Sequence, residues 1–250
     1  MRPSDHMIQT ELLIHDLKIP IAVIDAGVKS LLSRQDIYGP LTEKQEKVLK
    51  RIIRNVLAAR HLVNDTLELG RSRQGIISAG ETSVSDLVCH VLVDVLDLID
   101  PAVSEQVAMA GSYDEVKIAV RQSGVRLMFD AATWTSVVCL DAAKVQQVLR
   151  NLLTNAFKYR SAWVKIGGSR SSTGLVLTVT DDGKGVCAAD TDKIFNGHGD
   201  TGKALTSTVQ SHGIGLAGVA ALLNHMGGTI CVEKSRETGA CFIVEIPVTG

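Results

Sequence analysis

From Thr10 to Leu31 apolar residues recur at alternating spacings of four and three, as Thr10, Ile14, Leu17, Ile21, Ile24, Val28 and Leu31. Such a heptad specifies a long helix whose apolar seam is covered only by other helices. The spacing predicts a helix over about Met7–Ser33, ending in a turn at Gly39-Pro40. Pro20 falls inside it. Proline removes a backbone donor, yet the seam continues to Leu31, so a kink is expected here and not a stop. Thr42 and Gln45 then form a capping box that opens a second helix to about Leu69, with Leu49, Ile52, Val56, Ala59 and Val63 on one face. Two helices of this length do not cover both of their faces alone. The expected arrangement is an antiparallel helical hairpin that completes a four-helix bundle in a homodimer.

One residue out of step with the seam stands His15, followed by Asp16. Its ring is expected off the packed stripe, on the face shared by Glu11, Lys18 and Ala22. A lone helical histidine is more often structural or simply exposed, so the rest of the chain must decide its role. The predicted helix begins within about ten residues of Met1, which suggests a piece of a longer chain, with Arg2–His6 expected to be of vector origin.

Gly70–Gly80, rich in Ser, Arg and Gly, reads as a linker. Val84–Ile99 is apolar with helical period, Pro101 interrupts it, and Ala102–Gln122 can hold a further helix. From Val125 the pattern changes to short strands at Val125–Phe129 and Ser136–Leu140. Asp141 caps a helix running through Lys158 with Val145, Val148, Leu149, Leu152 and Leu153 inward. Strands follow at Trp163–Ile166 and Leu175–Thr180, a glycine-rich loop at Asn196–Gly213, a helix at Ile214–Met226, and strands near Thr229–Val232 and Cys241–Ile246. The fold class is α+β: a helical hairpin over 7–70, a linker over 71–83, and an α/β sandwich with a mixed sheet over 84–250.

The 250 residues carry a formal net charge of -1, which offers no general field for nucleic acid or an anionic membrane. Cys89, Cys139, Cys187, Cys231 and Cys241 have no paired spacing, which suits reduced thiols in a cytoplasmic protein better than a disulfide framework or zinc site. No apolar run has the ~18 residues of a membrane span. Three glycine patterns suggest phosphate chemistry. Gly197-x4-Gly202-Lys203 departs from a P-loop, because Ala204 stands where a hydroxyl must reach Mg2+ and no buried strand precedes it. Gly213-x-Gly215-x-x-Gly218 and Gly183-x-Gly185-x-x-Ala188 lack the strand–helix–strand setting of a dinucleotide fold. What remains is that glycines let backbone N–H groups approach phosphate oxygens, and that a helix start near Ile214 favours an anion.

The order of the motifs is the decisive feature. His15 in a helical hairpin is followed by Asn151-x-x-x-Asn155-x-x-Lys158-Tyr159 on a helix, Asp181-x-Gly183-x-Gly185 after a strand, Ile194-Phe195, and Gly213-Ile214-Gly215-Leu216. This resembles the transmitter core of two-component sensor histidine kinases, with the H, N, G1, F and G2 boxes in the family's order over about Ile8–Val248. The resemblance implies a dimerisation hairpin followed by a Bergerat-type ATP-binding domain, with ATP and Mg2+ as ligands and a response-regulator receiver domain as partner. It makes His15 the phosphoacceptor and Asp16 the residue that orients it. Asn155 would hold Mg2+, Asn151 would support that site, and Lys158, with Tyr159 beside it, would contact a phosphate. Asp181 would accept from the adenine amino group, Gly183 and Gly185 would let the base approach, and Gly213, Gly215 and Leu216 would pass the phosphates.

Three departures accompany the resemblance. Ile19 occupies the position four after His15, where the family often has Thr or Asn for positioning water, so weak or absent phosphatase activity is expected. Lys193-Ile194-Phe195 runs straight into Asn196-Gly197-His198-Gly199, and residues 101–122 form an insertion without an assigned role. The function expected is an ATP-dependent histidine kinase that phosphorylates itself and then an aspartate of a regulator. The alternative is a dimeric ATP-binding scaffold that signals without catalysis. A Ser/Thr kinase or ATPase with this nucleotide fold leaves the hairpin unexplained.

Overall fold

A computed structural model describes residues 3–72, 77–171, 174–186, 195, 215–234 and 239–248. The described chain forms two compact units that meet at Arg71 and Ser72.

The first unit holds two long helices, α1 (Pro3–Ser33) and α3 (Glu43–Ser72), with the single-turn α2 (Gln35–Tyr38) between them. Helix α1 runs through Pro20 without ending. The capping box is present. The Thr42 N–H donates to Gln45 Oε1 at 2.9 Å, and the Gln45 N–H donates to Thr42 Oγ1 at 3.3 Å. Val28 of α1 and Val56 and Leu57 of α3 are buried. Two other seam residues of α1 are open, Leu17 at 43% and Ile24 at 47% exposure.

In the second unit, β1 (Gly80–Ser83) leads into α4 (Val84–Ile99), followed by α5 (Pro101–Met109), α6 (Tyr113–Arg121), β2 (Val125–Met128), α7 (Ala131–Thr135) and β3 (Val137–Leu140). Then come α8 (Ala142–Tyr159), β4 (Val164–Arg170), β5 (Gly174–Asp181), α9 (Gly215–His225), β6 (Thr229–Lys234) and β7 (Ala240–Pro247). Gly80–Ser83, read as linker, is in fact a strand paired antiparallel with β3. Its sequence, Gly-Glu-Thr-Ser, has no apolar alternation to announce it, and the pairing is supplied by a strand more than fifty residues away. The insertion is two helices instead of one. The Asp100 side chain accepts from the Val103 N–H to start α5, and the Ser112 hydroxyl accepts from the Glu115 N–H to start α6.

A five-stranded mixed sheet in the order β2-β4-β5-β7-β6 is parallel only between β2 and β4. Register puts Val164, Ile166, Leu175, Leu177, Val179, Phe242, Val244 and Ile246 on one face, all buried, while Glu245 on the other is exposed. Helix α8 packs on β4 and β5, and α9 packs on α8 and β6. Helix α4 completes the layer against α8, and its Leu87, Leu92 and Leu96 are fully buried. Each such leucine contributes roughly 1.5–3 kcal/mol. Arg150 of α8 bridges to Asp94 of α4, its Nε 3.1 Å from Oδ2.

Candidate functional site

Helix α8 and the end of β5 carry the candidate residues of the second unit. The helix is set by Asp141, whose Oδ1 accepts from the Lys144 N–H at 3.2 Å while Oδ2 meets the Lys144 ammonium at 2.6 Å and the Ser78 N–H at 3.0 Å. Burial pushes the Asp141 carboxyl up, but the Lys144 side chain and the Ser78 and Lys144 N–H groups outweigh that and leave it below the ordinary carboxylate range. The residue thus caps the helix and stays charged within the core. Reading Asp141 as a cap captured only half of its role; the signal for the rest was Lys144 one turn on.

Asn151 and Asn155 are half-buried on α8, four residues apart and so on one face. The Asn151 side-chain amide donates to the Gln147 carbonyl at 3.0 Å, which fixes its orientation. No hydrogen bond among the described residues engages the Asn155 side chain. Lys158 is exposed, its ammonium 5.0 Å from the centroid of the Tyr159 ring, and Tyr159 is 61% exposed.

Strand β5 buries alternate residues Leu175, Leu177 and Val179, and the same phase carries the Asp181 side chain onto the helix-covered face. Asp181 is 4% exposed, and its Oδ1 accepts from the Gly183 N–H at 2.8 Å. No donor among the described residues reaches its Oδ2. A β-carbon on Gly183 would overlap the Tyr159 carbonyl and lie 2.8 Å from Asp181 Oδ1, so only glycine lets this turn sit against the end of α8. Gly185 has φ +73°, a backbone conformation that favours glycine. A β-carbon on Gly239 would likewise overlap the Asp181 carbonyl, a close approach that the sequence analysis did not identify.

Asp182 points the other way and braces the neighbouring loop. It accepts from the N–H groups of Ser161 at 2.9 Å, Ala162 at 3.0 Å and Trp163 at 3.1 Å. Burial raises the Asp182 carboxyl, and the Ala162, Trp163 and Ser161 donors more than offset that, leaving it below the ordinary range. The two adjacent aspartates therefore differ in kind. One has an oxygen to offer, and the other is fully occupied by its own chain.

The structure thus brings the end of the Asn151–Tyr159 helix against the Asp181–Gly183 turn. Gly215 opens α9, which packs on α8, and Leu216 in its first turn is half-buried. Gly213, Ile194 and the loop of residues 196–213 lie outside the described residues. His15 falls within α1, but its side chain is outside the description; Asp16 is exposed.

Two family models match. The His Kinase A (phospho-acceptor) domain matches residues 12–75, and the histidine kinase-, DNA gyrase B- and HSP90-like ATPase matches residues 140–250. The adaptive-response sensory kinase SasA of Synechococcus sp. is 29% identical over 250 residues, a match spanning 95% of this chain and 58% of SasA. A crystal structure of full-length ShkA in complex with AMPPNP shares the fold with a TM-score of 0.60 at 21% identity, over 96% of this chain and 46% of that one. The histidine kinase ThkA in complex with the response regulator protein TrrA does so with a TM-score of 0.53 at 19% identity, over 99% of this chain and 64% of that one. This chain spans 24% to 58% of the length of such curated relatives. The phospho-acceptor match contains His15, and the ATPase match contains the helix and turn described above. The chain belongs to the sensor histidine kinases of two-component systems.

Proposed function

We propose that this chain is an ATP-dependent protein-histidine kinase that phosphorylates His15 and passes the phosphoryl group to an aspartate of a response-regulator receiver domain. One observation carries the reading: a phospho-acceptor match around His15-Asp16 and an ATPase match around Asn151–Asp181 occur on one chain, in that order. The domain division proposed is a phosphoacceptor hairpin over 7–70, a connection that ends before β1, and an ATP-binding domain that begins with β1 at Gly80 and runs to 250.

ATP fits the residues of the second unit. Asp181 Oδ2 is available to accept from the adenine amino group, and the glycine cradle at Gly183 would be closed by any side chain. Gly185, Gly213, Gly215 and Leu216 complete the reading along the nucleotide. Lys158, exposed with Tyr159 beside it, would meet a phosphate and neutralise its charge. Mg2+ prefers oxygen ligands and supplies charge neutralisation at the phosphates when bound. Asn155 would hold it through an amide oxygen that no hydrogen bond among the described residues occupies, with Asn151 in support. Asp16 would orient the His15 imidazole and accept its other ring N–H as the neutral ring attacks. Catalysis of this kind rests on positioning and electrostatics.

Dimerisation through the hairpin is supported by the open seam at Leu17 and Ile24. A regulator partner is supported by ThkA, a relative in fold that is found with one. No helix among the described residues is long and apolar enough to cross a membrane. A position as the cytoplasmic part of a larger sensor accords with the greater length of the relatives.

Incubation with labelled ATP and Mg2+ tests the reading. Label that survives base, is lost in acid and is absent from His15→Gln is expected. Label that persists in His15→Gln refutes the assignment, and nucleotide binding without any label favours the silent scaffold.

A further inference from the structure

The insertion that the kinase reading leaves without a role forms one wall of a groove. It runs between α6 and the edge strand β2, has a volume of about 620 Å3, and is lined by Lys117, Arg121, Arg126, Met128 and Trp163 among others. Lys117 and Arg121 are one turn apart on α6 and project together. Val125 and Leu127 are buried at 0% and 1% exposure, so strand alternation turns Arg126 and Met128 to the face that the helices leave open. The Arg126 guanidinium lies 4.5 Å from the Trp163 ring centroid, and the Lys117 ammonium lies 5.4 Å from that of Tyr113. Among the described residues no carboxylate pairs with Lys117, Arg121 or Arg126. In a chain of net charge -1, three cations without carboxylate partners around one groove make a local feature. Apolar surface accompanies them, Met128 being 59% exposed.

The arrangement suits carboxylates spread along a segment better than a single phosphate. Arg and Lys bind phosphate too, but a compact phosphate site typically adds converging backbone N–H groups, as at a helix N-terminus. Here the end of α6 meets the groove with its C-terminus, and the N–H groups of Gln122, Ser123 and Gly124 are engaged by the carbonyls of Ala119, Val120 and Arg121. Backbone pairing along β2 is also restricted. The Tyr113 hydroxyl sits on that strand, donating to the Leu127 carbonyl at 3.2 Å and accepting from the Phe129 N–H at 3.2 Å. Recognition therefore falls to side chains: cations on both walls, two from α6 and one from β2, with an indole and a thioether beside them.

We propose that this groove docks an acidic, extended segment of a partner protein, with its carboxylates on Lys117, Arg121 and Arg126 and an apolar side chain on Trp163 and Met128. Charge complementarity names the partner's chemistry, and the exposed Met128 beside Trp163 calls for an apolar residue beside its acids. The groove lies outside the Asn155–Asp181 site, and most of its lining precedes residue 140, where the ATPase match begins.

The test uses the full chain and two labelled synthetic peptides of equal length and charge, alternating Glu-Leu and Glu-Ser, followed by fluorescence anisotropy. The Glu-Leu peptide is expected to bind. Its affinity should fall at least about tenfold in Lys117→Glu/Arg121→Glu/Arg126→Glu and between ~0.05 and ~0.5 M salt. It should exceed that of Glu-Ser and be unchanged in Lys44→Glu/Lys47→Glu on α3. Arg126→Gln alone, at an exposed position, should show a smaller loss in the same direction with unaltered affinity for a nucleotide analogue. No binding to the wild-type chain, equal binding to the triple variant, or equal affinity for the two peptides overturns the proposal. So does pyrophosphate bound more tightly than the peptide with the same dependence on the three cations.

Discussion

Replacing Asp141 by Asn removes one charge from the start of α8 and leaves the shape almost unchanged. Asparagine caps helices as well as aspartate does, so the bond from the Lys144 N–H survives. What is lost is the attraction between two groups whose side chains are 4% and 3% exposed and whose atoms lie 2.6 Å apart. Removing one partner of a buried pair costs ~3–5 kcal/mol. The amide oxygen still accepts from Ser78 or Lys144, which places the expected loss near ~3 kcal/mol, within a total domain stability of ~5–15 kcal/mol. Urea unfolding followed by tryptophan fluorescence reads this directly, because both tryptophans, Trp134 and Trp163, lie in the second unit. Asp141→Asn/Lys144→Met, which removes the other charge as well, should be more stable than the single variant by at least ~1 kcal/mol. The pH dependence has a fixed sign. The folded carboxyl is held below its ordinary value, so its contribution is complete above the unfolded pKa of ~3.9 and is lost as pH falls from there through the folded value. The difference between wild type and Asp141→Asn should therefore shrink on acidification. A single variant within ~0.5 kcal/mol of wild type, or a double variant no more stable than the single, refutes the reasoning.

Asp181→Asn keeps an oxygen for the Gly183 N–H but loses the charged acceptor; affinity for a non-hydrolysable ATP analogue should fall at least about tenfold by calorimetry with little change in stability. Gly183→Ala places a methyl group against the Tyr159 carbonyl and should abolish analogue binding, with native-like affinity counting against the cradle. Ile19 is 54% exposed, so Ile19→Thr should change stability by no more than ~0.5 kcal/mol while increasing hydrolysis of a phosphorylated regulator. Robust hydrolysis by the wild type would contradict the role given to Ile19. Burial, with Asp86 adding repulsion, pushes the Cys89 thiol up to about 11, so its alkylation, resolved by peptide mass spectrometry, should keep accelerating well above pH 9. A rate that levels off near the ordinary thiol pKa of ~8.5 disproves that environment.

Elements with a strong internal period were legible in the sequence. The α1 heptad, the Thr42–Gln45 box, the apolar rows of α4 and α8 and the alternation of β5 each state their own structure, because local geometry and burial agree. Elements that owe their form to a distant partner were not. Gly80–Ser83 becomes a strand through β3, and β4 extends to Arg170 because β5 pairs along that whole length. The five residues of α7 carry too little period to announce a helix; what holds them is the Asp130 side chain, which accepts from the Thr133 N–H at 2.7 Å. At Ala110–Ser112 the insertion breaks into two helices, a division set by the Ser112 cap and not by any change in hydrophobicity.

The site divides along the same line. That Asp181 follows a strand was readable, and counting by twos from Leu175 gives the rest: the carboxylate continues the buried row and arrives beneath the end of α8. Its neighbour Asp182 is one residue out of phase and so leaves the helix-covered face, where the free N–H groups at Ser161–Trp163 take both of its oxygens. The Asp-Asp-Gly run is ambiguous as a string of letters, since either acid could serve a ligand. The pleat resolves it by giving the two side chains opposite faces. Of the two, Asp181 is the one with an oxygen left for a ligand, and Asp182→Ala should cost the 161–163 loop its brace, read as lost stability in urea, before it weakens the proposed contact of Asp181 with adenine, read as analogue affinity.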